Sequence, residues 1–522
     1  MPAVIAKIVY ALAGVALALS LVGLHRASHD IARSSVTLPG GVPAVVWEPS
    51  PPLDFDQTPT FDPPVPVVIL CHGFSGDTAM TSALARRIAK AGYAVIAIDF
   101  RGHGENRNPF EISGDGVQLR EDIDAALLYA RSQPRFDGQR VALAGHSMGA
   151  FAVVSHAQQD PGVAAVVAIS GAGGLRGPFS PPNTLFIWAA HDPAGLRKNA
   201  RELAAKLAGL EQLVPDKTYG EVDHGTGVRT TEVPGVDHIT ILYSAEAARR
   251  IVEWLGETLG PGSGTPETPG PDPRFPFMGL GLAAAVVLAF GLPAWLAPLA
   301  PRLGLAPVAH PFARLALLVV ALAGALVVQS GADSLTTRGA FGFVPLAAGH
   351  DLFGFFALAG LILLALGARR RELSAAALAD PRTWLTAAAL FVSVYTVLGT
   401  LVLPLWNIFP ATHRLVWCLV ASGLMLPYFG ASECLLRGAG STGLWLPAVG
   451  KLVTLVIVAA GCLSGLLPFV IILGLGSIAL FFALFELIAI RIARRMPGPW
   501  VAALFQATFT GFAFGAIFPY TG

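Results

Sequence analysis

Hydrophobic residues in the first half of the chain come in short runs that alternate with charged stretches of helical pattern. From residue 35 to residue 258 these runs are rich in Val, Ile and Ala and have the length of single strands. Such alternation is typical of a doubly wound α/β domain, with a mostly parallel sheet between layers of helices. We expect strands at residues 65–71, 93–100, 140–146, 163–170 and 183–190, and helices at 118–132 and 194–209.

The second half of the chain consists of long apolar runs that are broken by Arg or Pro. Residues 259–275 are rich in Gly, Pro and Thr, have no apolar period and are interpreted as a flexible linker. The runs after the linker are long enough to cross a bilayer, so residues 276–522 are predicted to form an all-α transmembrane domain of about eight helices. The runs cover residues 276–300, 314–330, 350–368, 384–405, 414–431, 444–463, 467–490 and 499–518.

A further apolar run occupies residues 4–24 and also has the length of a membrane span. A cleaved signal peptide would have a similar pattern. However, this run is longer than the usual apolar core of a signal peptide, and the sequence LHRASHD after it lacks a small-x-small cleavage site. We therefore expect residues 1–34 to form an uncleaved membrane anchor.

Composition agrees with a membrane location for much of the chain, since 54% of the 522 residues are hydrophobic and 13% are charged. The formal net charge of +1 provides no basic excess for binding nucleic acid. The 4 cysteines are scattered, and no spacing typical of a metal or cofactor site occurs, so neither group is expected. The preference for Arg over Lys is typical of a GC-rich bacterial gene.

The arginines between the apolar runs are divided unequally between the two membrane faces that eight spans would define. Cytoplasmic loops are enriched in Lys and Arg. One face collects ten arginines, and the face that carries the linker collects three, so the α/β domain is expected outside the cytoplasm. The ten are Arg302, Arg314, Arg369, Arg370, Arg371, Arg382, Arg437, Arg491, Arg494 and Arg495, and the three are Arg274, Arg338 and Arg414.

The sequence Gly145-His146-Ser147-Met148-Gly149 directly follows one expected strand and precedes a helix-like stretch. A serine on a tight strand-to-helix turn needs small residues two positions before and after it, because the backbone crowds these neighbours. Such a turn exposes the hydroxyl above the sheet, where it can act as a nucleophile. The string alone also occurs by chance in glycine-rich loops, but the flanking strand and helix favour a catalytic Ser147.

A second glycine-rich turn, His72-Gly73-Phe74-Ser75-Gly76, follows the strand expected at residues 65–71. Acyl transfer places negative charge on the carbonyl oxygen, and backbone N–H groups fixed near that oxygen stabilise the charge. The amides of Phe74 and Met148 are the expected pair. The alternative is an ordinary strand-to-helix turn in which His72 only packs.

An acid and a base for this serine are expected after later strands, in the order serine, acid, histidine. Asp192 lies just past the apolar run 183–190, and His238 lies before the last helix of the domain, at residues 244–257. Neutral His238 would accept the Ser147 proton, and Asp192 would hold the histidine in the required tautomer. Alternatives for these two roles stay open, and they are His191, His224 and Asp237.

Taken together, HGFSG, DFRGHG (residues 99–104), GHSMG, the Asp after a strand and the late DH pair resemble the α/β-hydrolase superfamily. The resemblance covers roughly residues 36–258 and is strongest to the dienelactone-hydrolase and serine-aminopeptidase-like group. It implies a serine hydrolase that works through an acyl-enzyme. The family's site maps by resemblance onto the nucleophile Ser147, the acid Asp192, the base His238 and the oxyanion amides of Phe74 and Met148.

The expected substrate follows from one departure from the family. Many lipases and peptidases of this superfamily carry a lid domain before the strand that bears the acid, whereas here the gap is only residues 171–182. An open pocket suits small acyl esters, or amphiphilic acyl esters presented by the lipid bilayer. Two alternatives stay open: a serine aminopeptidase, which needs an acidic group for the free amine, and a transporter or scaffold with a non-catalytic hydrolase-like domain.

Ionisable side chains inside the apolar runs are costly in lipid and count as candidates for function. Lys451 and Glu486 lie in two such runs. Their opposite charges favour a pair between adjacent helices, which is a structural role.

Overall fold

A computed structural model of the chain describes residues 3–49, 63–111, 117–160, 162–263, 267–300, 305, 307–334, 339–367, 375–496 and 498–522. The chain forms two compact units. The unit that we name the sheet unit contains Val22–Pro276, Val402–Asn407 and Pro519–Gly522. The unit that we name the helical unit contains Met1–Leu21, Phe277–Leu401 and Ile408–Phe518. Five of the arginines counted above lie outside the described residues: Arg302, Arg338, Arg369, Arg370 and Arg371.

The described part of the sheet unit has eight strands: β1 (Ala32–Leu38), β2 (Val42–Glu48), β3 (Val65–Cys71), β4 (Ala94–Ile98), β5 (Phe136–His146), β6 (Ala165–Ile169), β7 (Thr184–Ala189) and β8 (Val228–Val233). Their order across the sheet is β1-β2-β4-β3-β5-β6-β7-β8. β2 pairs antiparallel with β1 and β4, and the other neighbours pair parallel. This mostly parallel sheet confirms the predicted α/β class.

The sequence pattern finds five of these strands and misses β1, β2 and β8. All residues of β3 are buried, so its apolar run is continuous and easily recognised. By contrast, β1 is exposed at most positions, β2 begins with a proline-containing pair, and β8 has the polar sequence VRTTEV. β1 and β8 are the two edges of the sheet, where one side of the strand has no hydrogen-bonding neighbour and polar residues are tolerated.

Helices cover both faces of this sheet. Helix α1 (Ala3–Ser28) precedes it, and α2 (Thr78–Lys90), α3 (Val117–Ser132), α4 (Met148–Ala157), α5 (Ala194–Ala208) and α6 (Ala245–Leu259) follow in chain order. α2 packs against α6, and α3 packs against α4. The face under α2 and α6 is a continuous apolar core in which Trp254 is fully buried and donates its indole N–H to the Asn183 carbonyl, at 3.1 Å.

The described residues of the expected linker are held against the sheet unit. The Glu267 N–H donates to the Lys90 carbonyl at 2.9 Å, and Arg87 Nε donates to the Gly270 carbonyl at 2.9 Å. Glycine- and proline-rich backbone supplies these carbonyl and amide groups without needing apolar side chains. These residues therefore form part of the sheet unit instead of a free tether.

Long apolar helices make up the rest of the chain: α7 (Arg274–Leu296), α8 (Pro311–Asp333), α9 (Gly349–Gly367), α11 (Pro381–Val402), α12 (Leu415–Leu436), α13 (Gly440–Leu463), α15 (Leu475–Arg495) and α16 (Trp500–Ile517), with the short helices α10 (Ala375–Ala379) and α14 (Val470–Leu473). With α1, nine helices among the described residues are long and apolar enough to cross a membrane. This pattern indicates a multi-pass membrane protein.

Four buried charged side chains in the helical unit form one connected network. Arg437 donates to Glu433 at 2.8 Å and to Glu486 at 2.6 Å, and Lys451 donates to Glu486 at 2.7 Å, as predicted. Gln506 adds an amide hydrogen bond to Glu433 at 2.9 Å. Two carboxylates thus face two cations, and this neutrality makes the burial of the four charges tolerable in an apolar surrounding.

Removing one member of the network should unfold the helical unit more easily. In Glu486→Ala, Arg437 and Lys451 each lose a carboxylate partner, and we expect a loss of about 3–5 kcal/mol in the free energy of unfolding. Glu486→Gln keeps a hydrogen-bond acceptor and should lose less. Denaturant unfolding of the full chain in detergent, followed by helical circular dichroism, measures the two differences. Equal midpoints for Glu486→Ala and the wild type would contradict a stabilising role.

Candidate active site

Ser147 occupies a sharp turn between the end of β5 and the start of α4. Its backbone has φ 52° and ψ −113°, which a residue with a side chain adopts only under constraint. A Cβ at Gly149 would lie 2.5 Å from the Cys71 carbonyl oxygen, and a Cβ at Gly145 would overlap the backbone of Gly149. These close approaches explain why both positions are glycine, as the sequence analysis argued.

Three predicted residues meet at this turn. His238 Nε2 lies 3.0 Å from Ser147 Oγ, and His238 Nδ1 lies 2.6 Å from Asp192 Oδ1. His238 and Asp192 are buried, with 6% and 3% of their surface exposed, while Ser147 is half-buried. A proton can pass from the serine hydroxyl to the imidazole along the first contact, because the second contact fixes the Nδ1–H tautomer.

Asp192 is held at the carboxyl edge of the sheet by two further donors. Ser170 Oγ donates to Asp192 Oδ2 at 2.6 Å, and the Ala189 N–H donates to the same oxygen at 2.8 Å. Burial raises the pKa of Asp192, but the hydrogen bonds from His238 and Ser170 outweigh it, so the pKa lies below its usual value. Sequence reasoning missed Ser170, although its place directly after β6, at the same sheet edge, was a usable signal.

The alternative acid and bases have other partners. His224 is exposed, and its Nδ1 lies 2.6 Å from Glu221 Oε2. Asp237 accepts hydrogen bonds from the Ile239 and Thr240 backbone and so caps a local turn. The His191 side chain is exposed. Among the described residues, the imidazole within hydrogen-bond distance of Ser147 Oγ is therefore that of His238, whose Nε2 can accept the serine proton.

The residues His72–Gly76, which we name the HGFSG turn, lie directly beside the serine. A Cβ at Gly73 would be 2.8 Å from His146 Nδ1 and 3.2 Å from Ser147 Cβ, so this close approach favours glycine. The Gly76 N–H donates to the Gly73 carbonyl at 3.0 Å and closes the turn around Phe74. In the described part of the chain, no hydrogen bond engages the N–H groups of Phe74 and Met148. Both donors are therefore available to a ligand.

Two buried histidines fix the backbone around this site. His72 Nδ1 donates to the Gly73 carbonyl at 2.7 Å, and its Nε2 accepts from the Phe100 N–H at 3.0 Å. His146 Nε2 donates to the His238 carbonyl at 2.7 Å. Burial lowers the pKa of His72 to about 4 and that of His146 to about 3, so both rings are neutral. Their role is structural, as the sequence analysis allowed for His72.

An aromatic cluster borders the HGFSG turn on its other side. The Phe74 ring lies 6.0 Å from the His103 ring and 5.9 Å from the Phe110 ring, measured between centroids. The rings meet edge to face, the arrangement that aromatic pairs favour. His103 belongs to the DFRGHG segment, so this segment borders the site through packing.

Comparison with known proteins agrees with this sheet and turn. Residues 62–207 match the family described as "Serine aminopeptidase, S33". This chain contains an α/β-hydrolase domain. The match includes the turn at Ser147 and Asp192 and ends within α5, before His238, and the helices α7 to α16 lie beyond it.

Relatives of this hydrolase domain carry different names. The quorum-quenching protein AidA of Acinetobacter baumannii is 35% identical over 111 residues, 21% of this chain and 36% of that protein. The monoacylglycerol lipase of Mycolicibacterium smegmatis is 32% identical over 115 residues, 22% of this chain and 40% of that protein. The chain thus spans well under half the length of these relatives. A solved esterase of Pyrobaculum calidifontis is 17% identical, covers 50% of this chain and 98% of its own, and has a TM-score of 0.32.

Buried His72 generates a prediction for stability against pH. An unfolded histidine takes up its proton near pH 6.5, whereas burial in the folded domain lowers the pKa of His72 to about 4. Between these values the unfolded state binds more protons, so acidification should lower the free energy of unfolding by roughly 1.4 kcal/mol per pH unit for this histidine. The glutamine in His72→Gln can make both hydrogen bonds but does not titrate. This variant should therefore lose about 1.4 kcal/mol less of its free energy of unfolding per pH unit than the wild type.

Urea unfolding of the full chain in detergent at pH 4.5, 5.5 and 6.5, followed by tryptophan fluorescence, measures this slope. His224→Gln is the matched control, because it makes the same substitution at an exposed position. Identical slopes for His72→Gln and the wild type would show that His72 does not resist protonation.

Proposed function

We propose that this protein is a membrane-anchored serine hydrolase that cleaves carboxylic esters through an acyl-enzyme. The observation that carries the proposal is the line of contacts from Ser147 to His238, 3.0 Å, and from His238 to Asp192, 2.6 Å. Residues 1–34 would act as the anchor, residues 35–258 as the core of the catalytic domain and residues 276–522 as the multi-pass part.

In the first step, Ser147 Oγ attacks the ester carbonyl carbon, and His238 Nε2 accepts the hydroxyl proton. The carboxylate of Asp192 stabilises the resulting imidazolium through Nδ1–H. The negative charge on the former carbonyl oxygen is stabilised by the N–H groups of Phe74 and Met148, and the N-terminus of α4 adds its dipole at Met148.

In the second step, the tetrahedral intermediate collapses and the carbon–oxygen bond to the alcohol breaks. The alcohol takes the proton from His238 and leaves, and Ser147 remains acylated. Water then enters, His238 removes its proton, and the hydroxide attacks the acyl carbon. Ser147 takes its proton back as the acid is released.

Three observations favour acyl esters near the bilayer as the substrate class. Only residues 170–183 separate β6 from β7, so no lid domain is inserted before Asp192. A relative of the hydrolase domain is named a monoacylglycerol lipase. α1 ends four residues before β1, which ties the catalytic domain closely to a candidate membrane span. Small and amphiphilic acyl esters at the bilayer are therefore the proposed substrates.

Replacement of the nucleophile tests this mechanism. Ser147→Ala should lower kcat for short p-nitrophenyl esters by roughly 10⁴- to 10⁶-fold, because the members of such a triad act as a unit. His238→Ala should lose nearly as much and Asp192→Ala somewhat less. Ser155→Ala, on the same helix α4, is the matched control and should behave as the wild type. A fluorophosphonate probe should label the wild type at Ser147 and fail on Ser147→Ala.

Near wild-type turnover in Ser147→Ala would remove Ser147 from the mechanism. If neither labelling nor turnover occurs in the wild type, the domain is a binding module. Aminoacyl amides assayed beside the esters test the peptidase alternative. Faster cleavage of the amides than of the esters would support a peptidase.

The structure refines the arginine count that bears on orientation. Arg314 and Arg414 are buried and donate to carbonyls at the C-terminal ends of α12 and α16, while Arg437 joins the ionic network and Arg274 pairs with Asp272. These four side chains stabilise the protein instead of occupying a loop. Without these four arginines, one face keeps eight of its ten arginines and the face that carries the linker keeps one of its three. This larger difference gives stronger support to the proposed extracytoplasmic position of the hydrolase domain.

Reporter fusions test this orientation. Alkaline phosphatase fused after Gly264, which lies outside the described residues, should be active because the enzyme folds only outside the cytoplasm. The same reporter fused after Arg382 should be inactive, and a fluorescent protein should give the opposite pattern. Activity after Arg382 and not after Gly264 would place the hydrolase domain in the cytoplasm.

A further inference from the structure

A six-residue segment from the second half of the chain belongs to the sheet unit. Val402–Asn407 begins at the last residue of α11 and ends before α12, yet it groups with the α/β-hydrolase domain. Leu405 accepts a hydrogen bond from Tyr243 Oη at 2.9 Å, and Pro404 accepts one from Ser82 Oγ at 3.1 Å. The carbonyls of this segment are therefore fixed by side chains of the hydrolase domain.

The next two residues of the segment form hydrogen bonds to Ser75 in the HGFSG turn and to Asp77 just after it. Trp406 Nε1 donates to the Ser75 carbonyl at 2.9 Å. The Asn407 N–H donates to the carboxylate of Asp77. Asp77 also caps α2 by accepting from the Met80 N–H at 2.9 Å. The segment thus forms hydrogen bonds both to the HGFSG turn and to the residue that caps α2.

The HGFSG turn needs such support because its backbone is strained. Ser75 has φ 59°, in the left-handed region that disfavours residues with a side chain, at a cost of roughly 1–2 kcal/mol. The Ser75 hydroxyl is buried without a partner among the described residues, so its side chain does not stabilise this conformation. Strained backbone persists where surrounding contacts determine it. The indole N–H of Trp406 is one such contact, placed one residue after Phe74.

We propose that Val402–Asn407 is a positioning segment for the HGFSG turn, and that Trp406 keeps the Phe74 N–H aimed at the oxyanion. This inference rests on the proposed function. Trp406 acts through the turn and is a positioning residue. Among the described residues, none of the hydrogen bonds of the segment reaches Ser147, Asp192 or His238, so loss of Trp406 should leave the proton path intact.

The opposite side of the HGFSG turn is held by a second distant segment, which supports the same inference. The Phe110 N–H donates to the Tyr520 carbonyl at 2.8 Å, and the Tyr520 N–H donates to the Gly102 carbonyl at 2.7 Å. Phe110 in turn packs its ring against Phe74. Residues far along the chain thus hold the turn on two sides.

The test uses the full chain in detergent with the variant Trp406→Phe, which keeps an aromatic ring and removes the indole N–H. We expect kcat for a p-nitrophenyl ester to fall about 10-fold with little change in KM, because the lost contact acts on transition-state stabilisation. Tyr243→Phe loosens the same segment at Leu405 and should show a smaller decrease of the same kind. Trp384→Phe is the matched control, since the exposed Trp384 also donates its indole N–H to a carbonyl, that of Leu378.

A second readout separates oxyanion positioning from a general loss of structure. In a thionoester, sulfur replaces the carbonyl oxygen and accepts hydrogen bonds poorly, so the ratio of ester to thionoester rates reports on the oxyanion donors. This ratio should fall about 10-fold in Trp406→Phe, and it should stay at the wild-type value in Trp384→Phe. Partial unfolding would lower both rates equally and leave the ratio unchanged.

The outcomes distinguish this inference from the proposed function. If the wild type is active and labelled at Ser147, and Trp406→Phe and Tyr243→Phe keep the wild-type kcat and rate ratio, the positioning role is overturned while the ester hydrolase stands. An equal fall of both rates in the two variants also overturns it. If the wild type neither turns over esters nor reacts with the fluorophosphonate, the proposed function falls and the positioning role with it.

Discussion

The left-handed backbone at Ser147 is the constraint on which the arrangement of the hydrolase domain depends. The chain can reverse there from strand to helix only if its neighbours come within van der Waals contact of adjacent backbone. Gly149 packs against the Cys71 carbonyl at the end of β3, and Gly73 packs against Ser147 itself. One tight turn therefore fixes the distance between β5, α4 and the start of the HGFSG turn. A methyl group at either glycine would separate the serine from the donors beside it.

Hydrogen bonds connect Ser147, the end of β6, Asp192 and His238 in a closed ring of contacts. The Ser147 N–H donates to the Ile169 carbonyl at the end of β6, and the next residue, Ser170, donates to Asp192. Asp192 binds His238, which reaches back to Ser147 Oγ. Each member is held from two directions, so the strain at the serine, on the order of 1–3 kcal/mol, is offset by several contacts at once. This ring of contacts keeps the side chains of Ser147, His238 and Asp192 in place before any substrate binds.

The parts of this arrangement that follow from local pattern could be predicted from sequence. The elbow around Ser147 is a strand, a glycine-flanked serine and a helix in succession. Asp192 follows from the rule that loops after parallel strands meet at one sheet edge, and His238 follows from the order serine, acid, histidine and from its place before the last helix of the domain. Ser170 obeys the same rule but was hidden, because a serine after an apolar strand is too common to stand out. The edge strands were missed because polar residues there leave no apolar period.

Trp406 could not be found in this way. Nothing in a short stretch between two apolar runs indicates that its indole binds the Ser75 carbonyl, since that contact depends on the whole tertiary structure. The sequence instead suggested separate domains joined by a linker. The sheet unit in fact includes Val402–Asn407 from the middle of the helical part of the chain and Pro519–Gly522 after α16, and the described linker residues are bonded to it.

The contact between Trp406 and Ser75 also has a consequence for biosynthesis. The two residues are 331 positions apart, and the ribosome adds roughly 5–20 residues per second, so Ser75 is made about 20–60 s before its partner. During that interval the sheet, the serine elbow and the histidine have all been translated, while helices α7 to α11 are still being added. The nascent chain therefore lacks this support for the HGFSG turn until α7 to α11 have been translated. If the proposed function holds, the donors of the HGFSG turn therefore reach their final geometry late in synthesis, after the first long apolar helices that follow the sheet have been made.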